Sequence, residues 1–138
     1  MKQEDKQLLL QNLCAMLPYD VCAHIIYKTG EPCYGKLTPR DIQWFIDSKI
    51  ENIKPYLRPM SSMTEKEYEA FPIPYSFDSF STWNNTILSE VIEGTQILIG
   101  IDEITEIIDW LNAHHFDYRG MIEKGLALEA PEGMYKID

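Results

Sequence analysis

The chain opens on a helical pattern. Leu9, Leu10, Leu13, Met16 and Leu17 fall on one side at helical spacing, with Glu4, Gln7, Gln11 and Asn12 on the other. This predicts an amphipathic helix over residues 3–17, stopped by Pro18. Val21 to Tyr27 is β-branched and aromatic, Lys28-Thr29-Gly30-Glu31 is a turn, and Pro32 to Leu37 completes a predicted hairpin. Residues 38–47 carry two conflicting signals. Thr38-Pro39-Arg40-Asp41 is a helix start, with a capping Thr and Pro at the first helical position. Ile42, Trp44 and Ile46, however, alternate with Gln43, Phe45 and Asp47, and this period of two predicts a strand. Pro55 and Pro59 each remove a ladder donor, so Ile53 to Pro59 reads as an extended segment on a sheet edge. Thr64-Glu65-Lys66-Glu67 is a capping box and predicts a short helix over residues 64–70, ended by Pro72 and Pro74.

Residues 72–86 read as loop with some extended structure. Thr86 to Glu93 is a short helix through Ile87, Leu88, Val91 and Ile92, closed by Gly94, and Thr95 to Ile99 is a strand. Asp102 caps a predicted helix over residues 103–115, with Ile104, Ile107, Ile108, Leu111 and His115 on one face and Asp102, Glu106 and Asp109 opposite. A last helix covers residues 118–124 and ends at Gly125. The expected fold is α+β, one domain over residues 1–138. An N-terminal helix packs on a small antiparallel sheet from residues 21–57, followed by a C-terminal helical half. Leu10, Leu13, Leu17, Ile26, Ile42, Trp44, Ile104, Ile108 and Leu111 form its expected core.

Composition adds compartment and charge. With 138 residues, 45% of them hydrophobic, the chain can close a core without disulfides or a structural metal. Cys14, Cys22 and Cys33 leave one thiol over in any pairing and include no C-x-x-C, which reads as a reduced, cytoplasmic chain. Leu8-Leu9-Leu10 is preceded by Glu4 and Asp5 and interrupted by Gln11 and Asn12, so it builds no signal-peptide core. No apolar run approaches the roughly 18 residues of a membrane span. The formal net charge is −10, unevenly placed. Residues 1–69 hold 9 basic and 10 acidic side chains, whereas residues 70–138 hold 3 and 12. That second half repels phosphates and anionic lipid, so neither nucleic acid nor membrane is expected as a partner, and a basic protein is. Acidic surfaces also serve solubility alone.

Catalytic signatures are missing: there is no G-x-S-x-G, G-x-G-x-x-G, Walker lysine or H-E-x-x-H, and no cofactor is implied. His114, His115 and Asp117 are the most suggestive cluster. Adjacent histidines on a helix diverge, so they lack the i, i+4 spacing of zinc pairs, and a hydrogen-bonded, half-buried histidine is the commoner outcome. Phe116 to Gly120 is the turn between two helices. Asp117 is placed to cap the second and Arg119 to pair with Glu123, while Tyr118 and Arg119 are also favoured contact residues in interfaces. Tyr56, Leu57, Arg58 and Met60 occupy the proline-stiffened edge, which could accept an added strand or be guarded by its prolines. The partner-binding candidates are therefore Tyr56, Arg58, Tyr118, Arg119 and His114. Asp102, Glu106 and Asp109 form an acidic stripe. Tyr75, Phe77, Phe80 and Trp83 could stack bases but have no basic residues between them. A Cys–His site would need one of the three thiols beside His24, His114 or His115, and Cys22 and His24 share a strand face. A nucleic-acid surface would need Lys36, Arg40, Lys49, Lys54 and Arg58 on one face.

Three stretches are distinctive as strings: KQLLLQNLCAMLPYDV (residues 6–21), IKPYLRPMSSMTEKE (53–67) and DWLNAHHFDYRGMIEKGLALEAPEGMY (109–135). On these the chain resembles a family of small uncharacterised bacterial proteins of gut anaerobes and their prophage-like elements. The resemblance covers less than half of the chain and leaves out residues 22–52 and 68–108. It implies a small soluble intracellular protein from a mobile element and brings no catalytic residues with it. The expected function is a non-enzymatic interaction or accessory protein. The alternatives are a small metal-dependent or Cys/His enzyme and a nucleic-acid-binding module.

Overall fold

The computed structural model describes residues 2–70 and 101–135. The predicted loop, helix and strand of residues 72–99 and the aromatics Tyr75, Phe77, Phe80 and Trp83 lie outside the described residues. The fold is α+β. Helix α1 (Gln3–Met16) runs into a 3-10 turn (Leu17–Tyr19) that includes Pro18. Strands β1 (Cys22–Tyr27) and β2 (Pro32–Lys36) form the expected hairpin. Helix α2 (Pro39–Ile46), strand β3 (Ile50–Leu57), the short helix α3 (Glu65–Ala70), helix α4 (Ile101–Ala113) and strand β4 (Leu128–Glu129) follow.

Four sequence expectations change. Residues 39–46 are helical, because Thr38 and Asp41 complete a capping box. Thr38 Oγ1 accepts from the Asp41 amide at 3.3 Å, and Asp41 Oδ2 accepts from the Thr38 amide at 3.0 Å. Ile42 and Phe45, three apart, are then buried together. The proline-bearing segment is not an edge: the strand order is β2-β1-β3-β4, with β3 antiparallel to β1 and parallel to β4, so the sheet is mixed. Pro55 lies opposite Ala23. That pair sits between ladder bonds, so its missing donor faces away from β1. The predicted helix over residues 118–124 is a series of turns in which Asp117 accepts from the amides of Met121 (2.8 Å) and Ile122 (3.0 Å). A C-terminal helical half therefore reduces, among the described residues, to α4 followed by turns and β4.

Helix α4 ends at Ala113, two residues earlier than expected, and Asp102 lies within it. Its terminus is a Schellman motif: the His115 amide bonds Asn112 O at 3.1 Å and the Phe116 amide bonds Leu111 O at 3.0 Å. His115 takes the left-handed position, with φ of 62°, that glycine usually fills.

The core lies between α1, α2 and one sheet face. Leu9, Leu13 and Met16 of α1 meet Ala23 and Ile25 of β1, Ile53 and Leu57 of β3, and Met121 and Leu126 from the C-terminal turns. Each large side chain fully buried in this way contributes about 1.5–3 kcal/mol. Leu13, Ile42 and Leu111 are buried as expected, whereas Leu10, Leu17, Ile26, Trp44 and Ile108 are only half-buried. The side chain of Ile104 is outside the described residues. Asn12, expected on the solvent side, sits in the buried stripe with Leu9, Leu13 and Met16.

Candidate functional site

Arg58 follows β3 directly and is 5% exposed, so it is not on a free surface. Its two terminal nitrogens donate to the two oxygens of Glu67, each at 2.7 Å. They also reach His114 O and Ser62 O, both at 3.3 Å. The guanidinium lies 4.2 Å from the centre of the Phe116 ring. Its backbone is held as well: Arg58 N donates to His115 O and Asp117 N donates to Arg58 O, both at 2.8 Å. Glu67 closes the Thr64 capping box from the third helical position, accepting from Thr64 N at 3.0 Å. Burial pushes the Glu67 carboxyl up. Hydrogen bonds from Arg58 and Thr64, with the Arg58 charge, outweigh that and hold it below the ordinary value. Arg58 thus ties residues 62–67 to residues 114–117 as a structural knot.

The histidines complete the knot rather than a metal centre. His114 stacks on Trp110 with centroids 3.9 Å apart, and its Nδ1 donates to Trp110 O at 2.8 Å. His115 stacks on Tyr135 at 3.8 Å, and its Nε2 donates to Tyr19 O at 2.6 Å. Burial holds the His115 imidazole below its ordinary pKa, against the opposing pull of the Tyr19 carbonyl, and so favours the neutral ring. Asp117 is spent on backbone amides. Among the described residues no three of His, Cys, Asp and Glu converge as a metal site.

Tyr135 reaches into the sheet. Its hydroxyl accepts from the Cys22 amide at 2.9 Å and donates to Tyr56 O at 2.7 Å, joining β1 to β3 where their direct ladder ends. Burial, above all, raises its pKa and keeps it protonated. Tyr56 is half-buried here. Tyr118 donates to Asn112 Oδ1 at 2.9 Å. The half-exposed Arg119 reaches Gln11 Oε1 at 3.5 Å and the Tyr118 hydroxyl at 3.2 Å, not Glu123. Of the five partner-binding candidates, Arg58 and His114 share the knot, Tyr56 adjoins the Tyr135 bridge, and Tyr118 and Arg119 lie toward α1. Cys22 and His24 share a strand face, but the His24 ring stacks on Tyr34 at 4.6 Å. The five basic residues do not form one exposed surface, since Arg58 is buried; Arg40 lies over Trp44 on α2, and Lys36 faces Asp20 at 3.8 Å.

Two surface features were missed in the sequence. The first is the outer edge of β2, where all five residues are exposed and Tyr34 is 66% exposed. The bonds Leu37 N to Val21 O and Tyr27 N to Glu31 O set the alternation of the β1–β2 ladder. The amides of Tyr34 and Lys36 consequently point off the sheet, and Pro32 sits where no ladder donor is needed. The second is a cavity of about 270 Å³ beside β4, lined by residues of two segments: Arg58, Pro59 and Ser62 from the first, and Glu129 to Glu132 with Tyr135 from the second. The sequence holds a hint of the first in the proline and lysine that frame β2. It holds none of the second, which is built from segments about seventy residues apart.

No helix among the described residues is long and apolar enough to cross a membrane. No protein-family model, curated protein or solved structure matches the chain.

Proposed function

We propose that the chain is a non-enzymatic interaction protein that binds a basic partner protein by accepting an extended segment on the free edge of β2. The observation that carries this reading is the outward row of β2: exposed backbone amides at Tyr34 and Lys36 beside a largely exposed tyrosine ring. Strand addition draws its affinity from such main-chain donors and its specificity from alternate side chains. The net charge of −10 favours a basic partner and speeds its approach. An accessory role in a mobile element belongs to the same reading and rests on the resemblance of the three sequence stretches.

Tyr34→Pro is the direct test. It removes an outward donor while the β1–β2 bonds, carried by neighbouring residues, remain. Affinity capture from the native host at physiological salt should retain a basic protein on the unaltered chain and lose it with Tyr34→Pro, both chains giving the same circular dichroism. Recovery of a metabolite with no protein above background would overturn the reading, as would equal capture by the variant.

A further inference from the structure

The geometry points to the cavity beside β4 as the receptor for one arginine or lysine side chain on an extended segment of a partner protein. This rests on the basic-partner reading above for the partner's charge only, and it uses the opposite side of the sheet. Four observations converge. The volume, about 270 Å³, lies below the roughly 300–1,000 Å³ of small-molecule and cofactor sites and suits a single long side chain. The walls are divided as such a side chain is divided: Pro59, Ala130, Pro131 and Tyr135 offer apolar surface to an aliphatic stem, and Glu129 and Glu132 offer carboxylates to its charged end. The cation among the lining residues, Arg58, is already neutralised by the two 2.7 Å bonds to Glu67, so the charge that remains is negative and disfavours an anionic ligand.

The fourth observation concerns the main chain. Ala130 N donates to Leu57 O at 2.8 Å across the parallel ladder. In that ladder alternate residues bond to the neighbouring strand, so the amide and carbonyl of Glu129 point outward beside the cavity. An extended peptide can bond them while its basic side chain enters. Glu129 thereby contributes both a main-chain anchor and a carboxylate, and Tyr135, fixed at its hydroxyl by Cys22 and Tyr56, gives the cavity a rigid wall.

The test is a titration of the full-length, isotope-labelled chain with the capped pentapeptide Ala-Ala-Arg-Ala-Ala, followed by amide resonances. Shifts confined to residues 58–62 and 129–135 are expected, with no response to the neutral citrulline counterpart. Glu129→Gln with Glu132→Gln should weaken binding by about threefold to tenfold, the scale of two exposed charge pairs. The equally exposed Glu31→Gln should leave binding unchanged. Binding should survive Tyr34→Pro, so failure of the β2 reading and failure of this one are separable. Shifts scattered over all acidic segments, equal binding of the citrulline peptide, or tighter binding of free spermidine than of the peptide would each overturn the assignment.

Discussion

Asn12 has the environment least suited to its chemistry. It is 1% exposed within the apolar stripe of α1, and neither its amide nitrogen nor its oxygen has a hydrogen-bond partner. An unsatisfied buried polar group costs about 1–3 kcal/mol. Asn12→Leu should therefore raise the urea midpoint, with a gain of about 1–3 kcal/mol less the cost of fitting two methyls where the carboxamide stood, because the number of side-chain heavy atoms is conserved and both orphaned atoms disappear. Arg58 and Glu67 are the opposite case, a fully bonded buried pair whose side chains are 6% and 5% exposed. Removing one partner strands the other charge, so Arg58→Ala and Glu67→Gln should each lose about 3–5 kcal/mol in chemical denaturation. Position alone told little about either residue. An asparagine on the polar side of a helical wheel and an arginine between two prolines are ordinary surface patterns. Only the packing of α4 and the turns after it reveals that both are enclosed.

Elements whose signals are local were legible, and those that depend on a distant neighbour were not. The capping box at Thr64, the hairpin turn at Gly30 and the stop at Pro18 all act within four residues, and the structure contains each of them, whereas the local signal at Thr38 was overridden in the sequence by the alternation that follows it. For α2 the box outweighed the alternation of Ile42, Trp44 and Ile46, since a helix buries Ile42 and Phe45 together and leaves Ile46 48% exposed. Thr38→Ala should accordingly destabilise by about 1 kcal/mol, read from the thermal midpoint. The place of β3 was illegible because β4 comes from residues 128–129, some seventy positions later. The same distance hid the Tyr135 bridge. Tyr135→Phe would leave Cys22 N and Tyr56 O without their partner. Amide exchange at Cys22 should then accelerate while exchange at His24 and Lys54, the next bonded pair of the same ladder, stays slow, a local opening rather than global unfolding.

At the scale of the whole molecule, the net charge of −10 and the buried ionisable groups respond to acid in opposite directions. Protonating surface carboxylates relieves repulsion and stabilises the fold as pH falls. Two buried groups work against this. His115 has a folded pKa below its ordinary value of 6.5, so between the two values the unfolded chain binds the extra proton and stability declines as pH falls. Glu67 has a folded pKa below its ordinary value of 4.5, so its contribution is complete above that value and disappears as pH falls toward the depressed one. The two windows open at different pH, below 6.5 and below 4.5, which allows their origins to be separated by experiment. The urea midpoint of the unaltered chain should begin to drop as pH passes below 6.5 and drop again below 4.5. His115→Asn keeps a residue that tolerates the left-handed backbone at this position and removes the imidazole. It should flatten the upper step and leave the lower one in place. An upper step of the same size in His115→Asn would place its origin elsewhere. A midpoint that rises between pH 7 and pH 6 would show that relief of surface repulsion outweighs the cost of charging the buried ring.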